Sequence, residues 1–267
     1  MNAATSSPGA SPGASLGAAL VTGAGRRLGL AIADGLAAAG WAVAYHYGRS
    51  GDAAQAAAEA VNAAGGTAAA VGADLADMSE VETLVPRAAE ALGRQLDLLV
   101  HNAAVFRRDS LSDTTPASWA HHMAVNVTAP VFLTQAFAAQ LPEEAQGNVI
   151  AILDQRVVNP TPHYMSYAAS KATLWSLVGT WALALAPAIR VNAIGPGMAL
   201  PDHGHDTADM AQWTERYPLR QGTSPEQINA AIRFILDAPA MTGQMIVLDG
   251  GQHLGWLHPQ GGYPLKP

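Results

Sequence analysis

A short apolar run, Ala18 to Thr22, is followed at once by the turn GAGRRLG and then by the helical run LAIADGLAAAG, which ends at Gly40. Little else in the chain constrains its fold so tightly. A strand that ends in a glycine turn and opens a helix lets backbone amides approach a pyrophosphate, and the helix N-terminus favours that negative charge. Gly23, Arg26, Arg27, Leu28 and Gly29 are therefore candidate phosphate-side contacts. An ordinary βα turn also carries glycine, but it does not need the strand and the helix to flank it this closely.

The same alternation continues downstream. Apolar runs at Trp41 to Tyr47, Thr67 to Leu75, Leu96 to Val100, Asn148 to Leu153, Ala188 to Ile194 and Met245 to Leu248 read as further strands, separated by alanine-rich helical stretches. Such alternation predicts an α/β fold: a single-domain Rossmann-type, doubly wound parallel sheet flanked by helices on both faces. A length of 267 residues suits one such core, and 49% apolar with 13% charged residues argues against disorder.

Residues 18–253 are expected to form the catalytic domain. Residues 1–17 read as a floppy leader rich in Ala, Ser, Pro and Gly, and residues 254–267 as a tail that packs on a neighbouring subunit or on its own surface. A net charge of −7 offers no electrostatic footprint for nucleic acid or an anionic membrane, and no apolar run is long enough for a membrane span. The absence of cysteine removes disulfides and thiolate chemistry, and is compatible with the cytoplasm.

Several local expectations follow from the helix signals. Ser79 with Glu82 has capping-box spacing for a helix over 79–92, in which Pro86 predicts a kink or a shifted start. A long helix is expected from Pro116 to Gln140, only mildly interrupted by Pro130, with Asn126 in its interior. A polar group buried there needs a reason, and support of Lys171 through a water is one.

The end of the second strand carries GRSGD where an acid would bind the ribose hydroxyls of NAD. Arg49, with His46 and Ser50, instead offers donors to a 2′-phosphate, which favours NADPH; a merely solvated Arg49 is the bland alternative. Asp74 and Leu75 lie where an adenine would be contacted. After the fourth strand, Ala103 and Ala104 allow a flat ring to approach and Asn102 can hydrogen-bond backbone or ribose, while Phe106 is either an aromatic face at the same rim or part of the core. Pro196, Gly197 and Met198 turn beside the nicotinamide end.

The chemistry is centred on Tyr167 and Lys171, four residues apart on one helix face. A free phenol titrates at about 10 and is a poor acid or base at neutral pH, but a neighbouring cation favours the phenolate. Asp154, at the end of the fifth strand, is placed to complete a proton path or to grip a substrate nitrogen. Residues 198–222 read as a substrate lid. His203, His205 and Asp206 within it show no established ligand spacing, so no metal site is expected.

The glycine turn, Asn102-Ala103-Ala104, Asn126, the Tyr167 and Lys171 pair, Gly195-Pro196-Gly197 and Asp249-Gly250-Gly251 together resemble the short-chain dehydrogenase/reductase superfamily over about residues 18 to 253. Two departures agree with each other: Arg27 stands where a glycine is usual, and Asp154 occupies the catalytic serine position. Both resemble pteridine reductases and bacterial dihydromonapterin reductases, as do the His46 to Ser50 stretch, Phe106, and the lid residues Trp213, Pro218, Leu219 and Gln221. His101 and Ala104 depart from that subgroup's usual asparagine and serine.

The resemblance implies that Arg27 touches cofactor phosphate and pterin, that Phe106 sandwiches the pterin against nicotinamide, and that Asp154, Tyr167, Lys171 and Asn126 form the catalytic set. It also implies NADPH, a small pterin substrate and a homotetramer. The competing readings are an NADPH-dependent carbonyl or 3-oxoacyl reductase, and a catalytically silent NADPH-binding sensor or scaffold.

Overall fold

The computed structural model describes residues 16–201 and 207–255. His203, His205 and Asp206, almost all of the expected leader and most of the expected tail lie outside the described residues. Seven strands form one parallel sheet: β1 (Ala18–Val21), β2 (Ala42–Tyr47), β3 (Ala68–Gly72), β4 (Leu98–His101), β5 (Gly147–Ile152), β6 (Ile189–Pro196) and β7 (Met245–Leu248). Their order is β3-β2-β1-β4-β5-β6-β7, every neighbouring pair parallel. The chain therefore winds outward from β1 to one edge, returns to β4 beside β1, and winds to the other edge. That reversal leaves a crevice at the strand ends, where open sheets of this kind bind ligands.

Both faces of the sheet are covered, which is why the strands read as continuous apolar runs rather than alternating ones. Ala18 and Leu20 of β1 belong to a core shared with Leu84, Leu133, Phe137, Leu174 and Val178. Ala19 and Val21 point the other way, into a core with Ile32, Leu36, Ala54, Ile228 and Ile232. The first layer is built by α3 (Met78–Leu92), α5 (Ala129–Gln140) and α6 (Met165–Leu185), the second by α1 (Arg27–Ala38), α2 (Gly51–Ala63) and α8 (Pro225–Asp237). Among the described residues, no helix is long and apolar enough to cross a membrane.

Three local features differ from the sequence expectation. Helix α3 is capped by Asp77, whose Oδ1 accepts from the Ser79 N–H and hydroxyl, and it runs through Pro86 to a left-handed Gly93. Ser79 is thus a helical residue, and Glu80, not Glu82, reaches back to accept from the Asp74 N–H. The expected helix over 116–140 divides into α4 (Pro116–Met123), a π turn over Ala124–Thr128, and α5. Pro130 has no N–H for the carbonyl of Asn126 four residues earlier, and the ladder widens immediately before it, with the Ala129 N–H donating to Ala124 O. Asn126 is thereby held in the widened turn, fully buried. Helix α8 is capped by Ser224 in a reciprocal box with Gln227.

Candidate active site

The glycine turn joins β1 to α1 at the reversal point. Gly23 is left-handed (φ 69°), and a Cβ there would lie 2.9 Å from Ala103 Cα. A Cβ on Gly25 would overlap the Ser50 hydroxyl, and one on Gly29 would overlap the Gly23 carbonyl. Thr22 ties the turn to β4: its hydroxyl donates to Val100 O and accepts from the N–H groups of Asn102 and Ala103. Asn102 returns the tie, its Nδ2 donating to Thr22 O at 2.9 Å. Arg27, the first residue of α1, is itself left-handed at φ 54°, the conformation that makes glycine the easier choice.

His46 corrects one expectation. Expected to offer a donor to a 2′-phosphate, it is instead buried, with both ring nitrogens committed. Nε2 is 3.0 Å from Ala73 O, an acceptor only, so Nε2 carries the proton and Nδ1 accepts from the Gly23 N–H at 3.0 Å. Burial pushes His46 down to about 4, with the Ala73 carbonyl opposing and Arg87 assisting. It is a neutral pin that shapes the glycine turn.

Exposed Arg26, Arg27 and Arg49 surround this cradle, Ser50 immediately precedes α2, and Leu28 lies half-buried on α1. Asp74 is exposed and Leu75 buried at the end of β3. A closely approachable backbone at a helix N-terminus, with an arginine and no acid ending β2, fits a dinucleotide bearing an additional phosphate.

At the end of β5, Asp154 leaves the sheet and caps a 3₁₀ turn over Gln155–Val157. Its Oδ1 accepts from the Arg156 N–H at 2.8 Å, and its Oδ2 accepts both from Arg156 Nη1 at 2.9 Å and from the Tyr167 hydroxyl at 3.1 Å. Tyr167 and Lys171 lie one turn apart on α6 and are buried. Lys171 Nζ donates to Ile152 O at 2.7 Å and lies 5.8 Å from the Tyr167 ring centre. Burial pushes this ammonium down to about 8, against the pull of the Asp154 carboxylate.

Asn126 does not bond Lys171 through its side chain. Its amide spans Val105, accepting from the N–H at 2.7 Å and donating to the carbonyl, and donates to Ser170 Oγ at 2.9 Å. It therefore locks the loop before Phe106 onto α6.

Phe106 is a rim residue rather than a core one. Its ring stacks on Tyr164 with centres 4.5 Å apart and planes 6° from parallel, and meets Tyr167 edge-on at 4.6 Å. Tyr164 precedes α6 with a left-handed backbone (φ 59°), and its N–H donates to Asp109 O. Buried Asp109 then accepts from the Ser166 N–H. Burial alone would raise the Asp109 carboxyl, but its bonds to Ser166 and Thr114 hold it below the usual carboxylate range. Arg156, Tyr164 and Asp109 were not expected from sequence. Tyr164 lies one helical turn before Tyr167, a usable signal, whereas Asp109 is 57 residues from Ser166 and gives none.

The turn expected beside a nicotinamide follows β6, which ends in Pro196. A Cβ on Gly197 would lie 2.7 Å from Asp249 Cβ, and Met198 O accepts from the Thr223 N–H. Gly250 and Gly251, both left-handed, pack under Gln221 and Pro218, so the Asp249 turn carries the end of the expected lid. Among the described residues, no group of His, Cys, Asp and Glu could hold a metal ion.

A family model described as short chain dehydrogenase matches residues 17–212. The chain is similar to a crystallised FolM alternative dihydrofolate reductase 1 from Brucella canis complexed with NADP: 40% identity, TM-score 0.88, covering 92% of this chain and 97% of that one. It is also similar to a short chain dehydrogenase from Burkholderia cenocepacia in complex with NADP, at 35% identity and TM-score 0.80 over 87% and 96% of the two chains. A 3-oxoacyl-[acyl-carrier-protein] reductase of Synechocystis is 32% identical over 237 residues, 87% of this chain and 95% of the relative.

Proposed function

This chain belongs to the short-chain dehydrogenase family, and from that premise we propose that it is an NADPH-dependent reductase of a dihydropterin, such as dihydromonapterin or, by extension, dihydrofolate. The observation that carries this reading is a carboxylate, Asp154, bonded by the Tyr167 hydroxyl beside the stacked ring of Phe106. A carboxylate is an acceptor only, suited to a ring rich in N–H donors, whereas a carbonyl oxygen calls for a donor. The relatives crystallised with NADP, one of them an alternative dihydrofolate reductase, support both cofactor and substrate class.

Reduction of a 7,8-dihydropterin adds a hydride to C6 and a proton to N5. NADPH supplies the hydride when bound, in a cradle of Gly23, Gly25, Gly29 and the α1 N-terminus, with Arg26, Arg27, Arg49 and Ser50 toward the phosphates. The remaining contacts are Asp74 and Leu75 toward adenine, and Asn102, Ala103, Pro196, Gly197 and Met198 toward the nicotinamide. Phe106 and Arg27 line the pterin slot, and Asp154 accepts from the ring's donors. Tyr167 turns its O–H from Asp154 toward N5 and gives up its proton, and the Lys171 ammonium stabilises the negative charge that develops on the phenol. Asn126 holds the Phe106 loop and α6 together. The assembly carried by this reading is a cytoplasmic homotetramer, for which Phe132, Leu183 and Phe234 leave apolar surface on α5, α6 and α8.

The Synechocystis relative favours a second reading, reduction of a 3-oxoacyl thioester. Asp154→Ser separates the two. We expect it to lower kcat for dihydromonapterin by about 10²-fold or more while the Kd for NADPH stays within about twofold. Equal losses in both would count against the pterin role of Asp154, and wild-type turnover of acetoacetyl thioester without pterin turnover would establish the second reading.

A further inference from the structure

Arg156 lies in the site, and neither the family pattern nor the roles above use it. It is two residues beyond Asp154 and contacts that carboxylate twice, through its own N–H on Oδ1 and through Nη1 on Oδ2. The pair is largely withdrawn from water, with side-chain exposures of 19% for Arg156 and 13% for Asp154. The guanidinium also lies alongside both members of the aromatic pair, 5.7 Å from the Phe106 centre and 5.1 Å from that of Tyr164. One side chain thus joins the stacking surface to the acceptor.

The terminal torsion of an aspartate is soft and roughly two-fold, so one hydrogen bond holds the carboxylate plane only loosely. The Arg156 N–H on Oδ1 and Nη1 on Oδ2 together narrow that plane, and the Oδ2 so held also accepts from the Tyr167 hydroxyl. We propose that Arg156 is the positioning and specificity-determining residue of this site, aiming Asp154 as an acceptor. The slot then accepts a flat heterocycle that presents an N–H and disfavours simple ketones. This proposal rests on the pterin reading and gives its substrate class a structural cause.

Loss of the guanidinium leaves Asp154 present but unaimed. A misplacement of about 1 Å in a reacting constellation costs up to about 10²-fold in rate. Ketone reduction does not use the aimed acceptor and changes little. Lysine retains the cation but not the planar guanidinium that lies against the rings, so it restores only part of the function.

The experiment uses full-length wild type, Arg156→Gln and Arg156→Lys, with kcat and KM for dihydromonapterin and for a small ketone, Kd for NADPH by fluorescence, and Tm. The proposal expects Arg156→Gln to lose tenfold or more in pterin kcat with a smaller rise in KM. It also expects NADPH Kd and ketone turnover within twofold, and Arg156→Lys to fall between. Pterin turnover by wild type with an Arg156→Gln kcat within twofold overturns the proposal and leaves the pterin reading standing. Parallel losses in pterin, ketone and NADPH binding in both variants, tracking Tm, mark a structural residue and also overturn it. No pterin turnover by wild type overturns both.

Discussion

Two imidazoles, His46 and His101, are held neutral in the folded chain, and this makes the protein acid-labile in a window well above the carboxylate range. Burial pushes His46 down to about 4 and His101 to about 3, the latter assisted by the Lys171 ammonium, and both are 2% exposed. In the unfolded chain each titrates near 6.5. Both folded values lie below the unfolded one, so the associated stability is complete above pH 6.5. It is lost as pH falls, because the unfolded chain takes up protons that the fold refuses. At pH 5.0 the unfolded state holds a proton on both rings and the fold on neither, which removes about 2 kcal/mol per histidine relative to pH 7.5. Together this is about 4 kcal/mol, a large part of the roughly 5–15 kcal/mol that holds an ordinary domain folded.

The assay is urea unfolding at pH 7.5 and 5.0 at one fixed protein concentration, for wild type and His101→Asn. Asparagine puts an amide donor and acceptor in place of the ring that bonds Thr134 Oγ1, and it does not titrate. The variant should lose about 2 kcal/mol between the two pH values where wild type loses about 4, whatever its absolute stability. Wild type equally stable at both pH values, or a variant whose loss parallels that of wild type, would refute the claim that the His101 ring is buried in its neutral form.

Two further outcomes follow from the same geometry. Lys171, pushed down to about 8, should give pterin turnover a basic limb as pH rises through that region, since the cation beside the phenol is then lost. A pH–rate profile flat from 7 to 9.5 would contradict it. Gly29→Ala places a methyl 2.8 Å from the Gly23 carbonyl carbon, in a turn already tied to His46 and Asn102. Overpacking of this kind costs about 1–3 kcal/mol, and the displaced turn should weaken NADPH binding by about tenfold or more at unchanged pterin KM, as read by fluorescence titration.

The strands were readable from sequence because a sheet covered on both faces demands apolar residues without interruption. Tyr167 with Lys171 was readable because spacing by four on a helix already is a statement about geometry. His46 was not, since a polar residue at a strand end looks the same whether it serves a ligand or a backbone. Only the positions of the Gly23 N–H and Ala73 O, just beyond the ends of two other strands, decide it. The cap of α3 was misplaced for a related reason. Asp77 and Ser79 are both good caps two residues apart, and the choice depends on where the preceding turn over 74–77 closes. Pro130 announced an interruption, but its form, a widened turn holding Asn126 inward, follows from the partners Val105 and Ser170.

The candidate site also carries backbone conformations that no spacing rule predicts. Arg27 and Tyr164, two of three non-glycine residues with positive φ among those described, stand at the beginnings of α1 and α6, the helices bearing the phosphate cradle and the Tyr167–Lys171 pair. A left-handed non-glycine residue costs about 1–2 kcal/mol. Glycine would relieve the strain in either place and would leave no side chain there. At Tyr164 that side chain is the ring stacked on Phe106 and flanked by Arg156. At Arg27 it is a cation at the mouth of the cradle. The cost is borne where a side chain is needed and the backbone alone would prefer none, which on the proposed pterin reading is at the substrate slot.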